Sequence, residues 1–177
     1  MEFSGSHILS IDQFSRSDVE KLFNIADSLE PYSSKNKVTR VLEGAILGNM
    51  FFEPSTRTRI SFGASFNLLG GNVREITEVS SSSLVKGESL VDTAKVLSGY
   101  SDIIVMRHPE EGSVQKFAEA SRVPVINGGD GANEHPSQAL LDLYTIDKEL
   151  SQNKKSIDGL RIALVGSKFG PGIYDII

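Results

Sequence analysis

The segment with the most chemical content is Phe52-Glu53-Pro54-Ser55-Thr56-Arg57-Thr58-Arg59. It joins an apolar run, Ala45 to Phe52, to a helical pattern, Arg57 to Leu69. The start of a helix presents free backbone N–H groups and the positive end of the macrodipole, which together seat phosphate. Ser55, Thr56 and Thr58 add hydroxyl donors, and Arg57 adds a planar cationic fork that matches phosphate oxygens. The bland alternative is an ordinary helix start, with Ser55 or Thr56 capping and both arginines in water. The density of hydroxyls and guanidiniums argues against it. Arg59 stands two residues from Arg57, faces another side of the helix, and is expected in a structural ion pair. The chain has no Gly-x-x-x-x-Gly-Lys-Ser/Thr loop and no dinucleotide fingerprint.

Three further segments carry polar groups just after apolar runs. Met106-Arg107-His108-Pro109 places Arg107 where it can enter a crevice, while His108 reads as turn structure ahead of the proline. Gly128-Gly129-Asp130-Gly131 runs on to His135-Pro136-Ser137-Gln138. Glycines there allow close backbone approach to a ligand, and Pro136 can open a helix. His135 and Gln138 are three apart, so both can face one space from the first turn. A histidine can donate to a carbonyl oxygen, and a glutamine can recognise an amide NH₂. Taken alone, a capping histidine beside a solvated glutamine is the commoner arrangement. Lys86, in Ser82-Ser83-Leu84-Val85-Lys86-Gly87-Glu88, suits a lid that closes on an anion, or else is a solvated loop lysine. Together these groups fit a small phosphate ester or anhydride bearing a carbonyl and an NH₂. No metal site is expected: there is no cysteine, and His7, His108 and His135 have no ligand spacing.

Elements must hold these groups. Apolar face spacing predicts helices over Ser15 to Leu29, Arg57 to Leu69, Ser89 to Tyr100, Ser113 to Ala120 and Pro136 to Leu150. Strands are expected at Ala45 to Phe52, Asn72 to Val79, Asp102 to Arg107, Val123 to Asn127 and Leu160 to Val165, with a loop over Ser80 to Gly87. Regular alternation implies an α/β fold: a three-layer sandwich with a mostly parallel sheet and helices on both faces. Ligands of such sheets bind beyond the carboxyl ends of the strands, where all four segments lie. A net charge of −5, with no basic run beyond Lys154-Lys155, argues against a nucleic-acid partner. The apolar stretches are strand-sized, so no membrane partner is expected. The first residues lack a basic flank and an apolar signal core, which makes a cytoplasmic location the expectation.

Phe52 to Arg59 with Ser61-Phe62 resembles the carbamoyl-phosphate signature of the carbamoyltransferases, carried by both the aspartate and ornithine branches. Lys86-Gly87-Glu88, Val105-Met106-Arg107-His108-Pro109, and Asn127 to Gly131 running into His135 to Gln138 look like the aspartate branch. The ornithine branch is disfavoured by the Lys86 loop and by His108-Pro109. The likeness extends from about His7 to Val165.

The resemblance implies attack of the aspartate α-amine on the carbonyl of carbamoyl phosphate, in de novo pyrimidine biosynthesis, with no cofactor. Ser55, Thr56, Arg57 and Thr58 would hold the phosphate, Arg107 and His135 would polarise the carbamoyl oxygen, and Gln138 would fix the NH₂. Ser82, with Ser83 as the near alternative, and Lys86 would reach a neighbour's site, since the family forms homotrimers with shared sites. Arg57, Thr58, Lys86, Arg107, His135 and Gln138 form the implied catalytic set. A regulatory subunit or a fused enzyme is compatible with the family. Residues 1–150 are expected to form a carbamoyl-phosphate-binding domain, and 151–177 a linker and first strand of an otherwise absent aspartate-binding domain. Ser167 to Tyr174 lacks the family's Gly-Arg pair, so the chain alone is expected to be inactive or partial. The alternative reading is a non-catalytic carbamoyl-phosphate or anion-binding module.

Overall fold

The computed structural model describes residues 1–77 and 87–163. Ser82, Ser83 and Lys86 lie outside the described residues, as do Val79 and the Leu164-Val165 end of the last expected strand. Four parallel strands, β1 (Ile46–Phe51), β2 (Asn72–Ile76), β3 (Ile103–His108) and β4 (Val125–Asp130), form one sheet in the order β2-β1-β3-β4. The helices are α1 (Arg16–Ser33), α2 (Thr56–Leu68), α3 (Leu90–Leu97), α4 (Ser113–Ala120) and α5 (Pro136–Gln152), and a 3₁₀ turn spans Ile11–Gln13.

Each strand sends alternate side chains to opposite faces, and the sheet accordingly has two cores. Met50, Phe52, Ile104, Met106 and Val125 pack with Ala94 of α3 and Val114, Phe117 and Ala118 of α4. Leu47, Phe51 and Val105 pack on the other face with Phe62 and Phe66 of α2. Both faces are therefore covered, which is why β1 and β3 read as almost unbroken apolar runs. Phe51, Phe117, Leu47 and Ile104 are fully buried, and each such side chain contributes about 1.5–3 kcal/mol. This is the α/β sandwich that the alternation predicts.

The register brings the active ends of β1 and β3 together. Phe51 pairs with Arg107, and the Phe52 N–H donates to the Arg107 carbonyl at 2.9 Å. Residues Glu53 to Arg57 therefore leave the sheet beside Arg107.

Three boundaries differ from expectation in ways that matter. β4 continues through Gly128-Gly129 to Asp130 rather than stopping at Asn127. It pairs His108 with Asp130 across a register shift, and the Gly131 N–H donates to the His108 carbonyl at 2.9 Å. The expected glycine loop is thus partly sheet. α5 runs to Gln152, past the expected boundary at 150, because polar Ser151 and Gln152 can prolong a solvated helix; Asn153 closes it by donating to the Glu149 carbonyl at 2.9 Å. The described part of Leu160 to Val165 is not a strand. A strand exists through its pairing, and the outer edge of β4 is already taken by Ile8, whose N–H donates to Val125 O while its carbonyl accepts from Asn127 N, both at 2.8 Å.

Candidate active site

Residues from separate elements meet beyond the carboxyl ends of β1, β3 and β4. A cleft of about 370 Å³ runs between α2 and α5, lined by Arg57, Thr58, Phe62, His135, Ser137 and Gln138, among others. Its α2 wall begins at Ser55, the N-cap, which makes no side-chain capping bond. The first amides of α2 and the hydroxyls beside them are therefore available to a bound anion. Arg57 is exposed and makes no ion pair with any described residue. Arg59 is different: its Nη1 lies 3.8 Å from Glu75 Oε2, and the buried Asn49 ties the same corner by donating to Glu75 Oε1 at 2.7 Å and to the Arg59 carbonyl at 3.1 Å. The two arginines divide as their spacing predicts, one toward the cleft and one into structure.

Arg107 stands beside His135 of this lining. Its side chain is only 11 % exposed. Glu53 Oε2 accepts from Nε at 3.2 Å, and the Gly128 carbonyl accepts from Nη1 at 3.3 Å. Pairing of this kind is what a nearly buried guanidinium requires. Nη1 also sits 3.2 Å from His135 Nε2. Gly129 makes that approach possible. It lies at φ +118°, and a Cβ there would stand 3.0 Å from Arg107 Nη1 and 3.3 Å from His135 Cδ2.

His135 is buried and is the N-cap of α5. Its Nδ1 lies 3.3 Å from the Gln138 backbone N and 3.2 Å from Ser137 Oγ. Backbone and guanidinium N–H groups can only donate, so the Gln138 contact calls for an accepting Nδ1 and the Arg107 contact for an accepting Nε2, and a neutral ring meets one of the two in each tautomer. Arg107 Nη1 donates to Nε2 when the ring proton is on Nδ1, and with the proton on Nε2 the two nitrogens are donors side by side. An oxygen arriving between them can accept from both, the arrangement that stabilises a developing oxyanion. Gln138 Nε2 donates to Asp142 Oδ1 at 2.9 Å, which turns the carbonyl Oε1, the atom that can receive an NH₂, toward other partners.

His108 remains structural, as its place before Pro109 suggests. Its Nδ1 accepts from the Glu110 N–H at 3.1 Å, its ring stands edge-on to Phe52, and burial pushes its pKa down. The described residues contain no group of His, Asp and Glu able to hold a metal ion, and no helix among them is long and apolar enough to cross a membrane.

Sequence reasoning missed Glu53 as the partner of Arg107, Gly129 as the gap between Arg107 and His135, and Asp142 as the orienting group for Gln138. Asp142 lies one helical turn after Gln138 and was readable from that spacing. The Glu53–Arg107 pair is separated by 54 residues, and no local pattern signals it.

The aspartate/ornithine carbamoyltransferase family model for the carbamoyl-P binding domain matches residues 6–148. The chain belongs to this family. It is 70 % identical over its whole length to the aspartate carbamoyltransferase catalytic subunit of Saccharophagus degradans, and covers 53 % of that protein. The catalytic subunit from Methanothrix thermoacetophila is 50 % identical over 96 % of this chain and 54 % of its own. Among solved structures, aspartate transcarbamoylase from Trypanosoma cruzi in complex with carbamoyl phosphate and aspartate aligns with a TM-score of 0.88 and 41 % identity, over 97 % of this chain and 56 % of that one. The chain spans about half the length of the curated relatives it matches. The resemblance in the signature segments thus extends over residues 6–148, matched as the carbamoyl-P binding domain.

Proposed function

We propose that this chain supplies the carbamoyl-phosphate half of an aspartate carbamoyltransferase site. The observation that carries the reading is the juxtaposition of Arg107 and His135, with 3.2 Å between Nη1 and Nε2, at a cleft whose other wall is the uncapped start of α2. A phosphate on the α2 amides, Ser55, Thr56, Arg57 and Thr58 would leave its carbamoyl oxygen near Arg107 and His135 and its NH₂ near Gln138 Oε1.

The aspartate α-amine, in its neutral form, attacks the carbonyl carbon. A C–N bond forms, negative charge gathers on the carbonyl oxygen, and Arg107 and His135 stabilise it. The intermediate collapses as the C–O bond to phosphate breaks. The electron pair leaves on phosphate, a phosphate oxygen takes the proton lost by the amine, and the products are N-carbamoyl-L-aspartate and phosphate. This is a reaction of de novo pyrimidine biosynthesis. The residues position and polarise, and no cofactor is required. Fixing the amine needs a second carboxylate-binding wall, so the chain alone forms little product. Ser82 and Lys86 would complete a neighbour's site in a cytoplasmic homotrimer, to which a regulatory subunit or a fused enzyme can be added.

Calorimetric titration with carbamoyl phosphate or phosphonoacetate, beside a colorimetric assay for carbamoyl aspartate, tests the proposal. Binding without turnover by the chain alone is expected. Absence of binding overturns the reading, and robust turnover overturns the dependence on a second wall.

A further inference from the structure

The segment His7 to Gln13 has no part in the chemistry described above, yet it is bonded to the loop that ends in His135. The Ile8 N–H donates to the Val125 carbonyl, and the Asn127 N–H donates to the Ile8 carbonyl, each at 2.8 Å. The Asn127 Nδ2 adds a bond to the Leu9 carbonyl at 3.0 Å, and the Val125 N–H donates to His7 Nδ1 at 3.1 Å. At the far end of the loop, Ser10 Oγ donates to Glu134 Oε1 at 2.8 Å and the Ile11 N–H donates to Glu134 Oε2 at 3.3 Å. Both oxygens of the Glu134 carboxylate are thereby engaged, by residues 124 and 123 positions away.

Glu134 is also held through its backbone. Its N–H donates to the buried Asp130 Oδ1 at 3.0 Å, and its carbonyl accepts from the Asp130 N–H at 3.1 Å. The next residue is His135. A side chain clamped to the 3₁₀ turn and a backbone clamped to Asp130 leave that peptide little freedom, so the imidazole emerges at a fixed angle toward Arg107. A site of this kind works only if its donors are held to within a fraction of an ångström by surrounding bonds.

We propose that Glu134 is a positioning residue, and that residues 7–13 act through it as part of the scaffold of the active site, fixing His135 against Arg107. The proposal rests on the carbamoyl-phosphate reading of that site. It gives Glu134 no contact with substrate. It assigns the clamp to the carbamoyl end of the ligand, because the phosphate end is held by α2, while the hydrogen bonds of Glu134 go to Ser10, Ile11 and Asp130.

The test compares the parent chain with Glu134→Ala, Glu134→Gln and Ser10→Ala, using two probes. Inorganic phosphate reports on the α2 end, and phosphonoacetamide reports on both ends. Glu134→Ala is expected to weaken phosphonoacetamide about fivefold, the worth of one net hydrogen bond, while phosphate affinity stays within about twofold. Glu134→Gln keeps one acceptor for Ser10 or Ile11 and recovers part of the loss. Equal losses for both probes would reduce Glu134 to general structure and overturn the proposal, as would no loss for either. A parent that binds phosphonoacetamide no better than phosphate would fail the carbamoyl reading itself. Independently of any ligand, nitrogen-detected imidazole spectra of the parent should show one set of His135 ring signals, with that pattern altered in Glu134→Ala and the His108 signals unmoved. An unaltered His135 ring in Glu134→Ala refutes the clamp whatever the ligands do.

Discussion

Arg107 Nη1 stands 3.2 Å from His135 Nε2, and the space that allows this is the missing side chain of Gly129. The two residues come from the end of β3 and the start of α5, and the strand between them supplies the glycine. Arg107 Nη1 donates to Nε2 in one tautomer of the ring, and in the other both nitrogens offer a proton to an incoming oxygen.

Replacing Gly129 with alanine therefore strikes twice. The φ of +118° is unfavourable for any L side chain, and the new Cβ meets Arg107 Nη1 at 3.0 Å and its Cζ at 3.2 Å. Gly129→Ala should cost more than about 1 kcal/mol in urea unfolding, and should separate the two donors. Calorimetry should show phosphonoacetamide binding reduced along with stability. A variant of parental stability and affinity would show that the gap has no role.

Arg57 behaves in the opposite way. It is exposed and pairs with no described residue, so removing it has little to disturb in the unliganded fold. Arg57→Ala should leave the melting temperature unchanged and weaken binding of inorganic phosphate by about 1.5–3 kcal/mol, the range for a hydrogen bond to a charged group. Unchanged phosphate affinity, measured by calorimetry, would move the anion away from the α2 start.

His108 links pH to stability. Burial lowers its pKa below 6.5, against the raising influence of Glu110, Glu53 and Asp130. The folded chain thus binds its proton less readily than the unfolded chain. Stability is fully present above pH 6.5 and declines as pH falls from there toward the lower folded value. Urea midpoints should fall between pH 7.5 and pH 5.5 in the parent, and less in His108→Asn. Parallel pH profiles in the two proteins would assign the dependence to another group.

The neighbour-sharing role of Lys86 has its own experiment. Join the chain to a family aspartate-binding domain and prepare Lys86→Ala and Arg57→Ala separately. If Lys86 serves an adjacent subunit, some sites in mixed trimers draw Arg57 from one chain and Lys86 from the other, and activity returns on mixing. No recovery, with mixed trimers confirmed by native mass spectrometry, assigns Lys86 to its own subunit.

The alternation of strands and helices, and so the layered sheet, was legible along the chain, because hydrophobic period and glycine stops are local properties. The sequence also carried the proposed phosphate cradle, since Ser55, Thr56, Arg57 and Thr58 are consecutive and a helix start needs only neighbours. The likeness to the carbamoyltransferases was legible for the same reason, in short contiguous segments. Tertiary structure decided what lies across the sheet. The pairing of Phe51 with Arg107 sets Glu53 beside a guanidinium 54 residues away, and the bond from Ser10 to Glu134 spans 124. Such contacts follow from strand order and register, and nothing in the composition of Glu53 or Glu134 announces its partner. The strand nature of Gly128-Gly129 was hidden too. Glycine has weak strand propensity, and only the pairing of Asp130 with His108 made those residues part of the sheet.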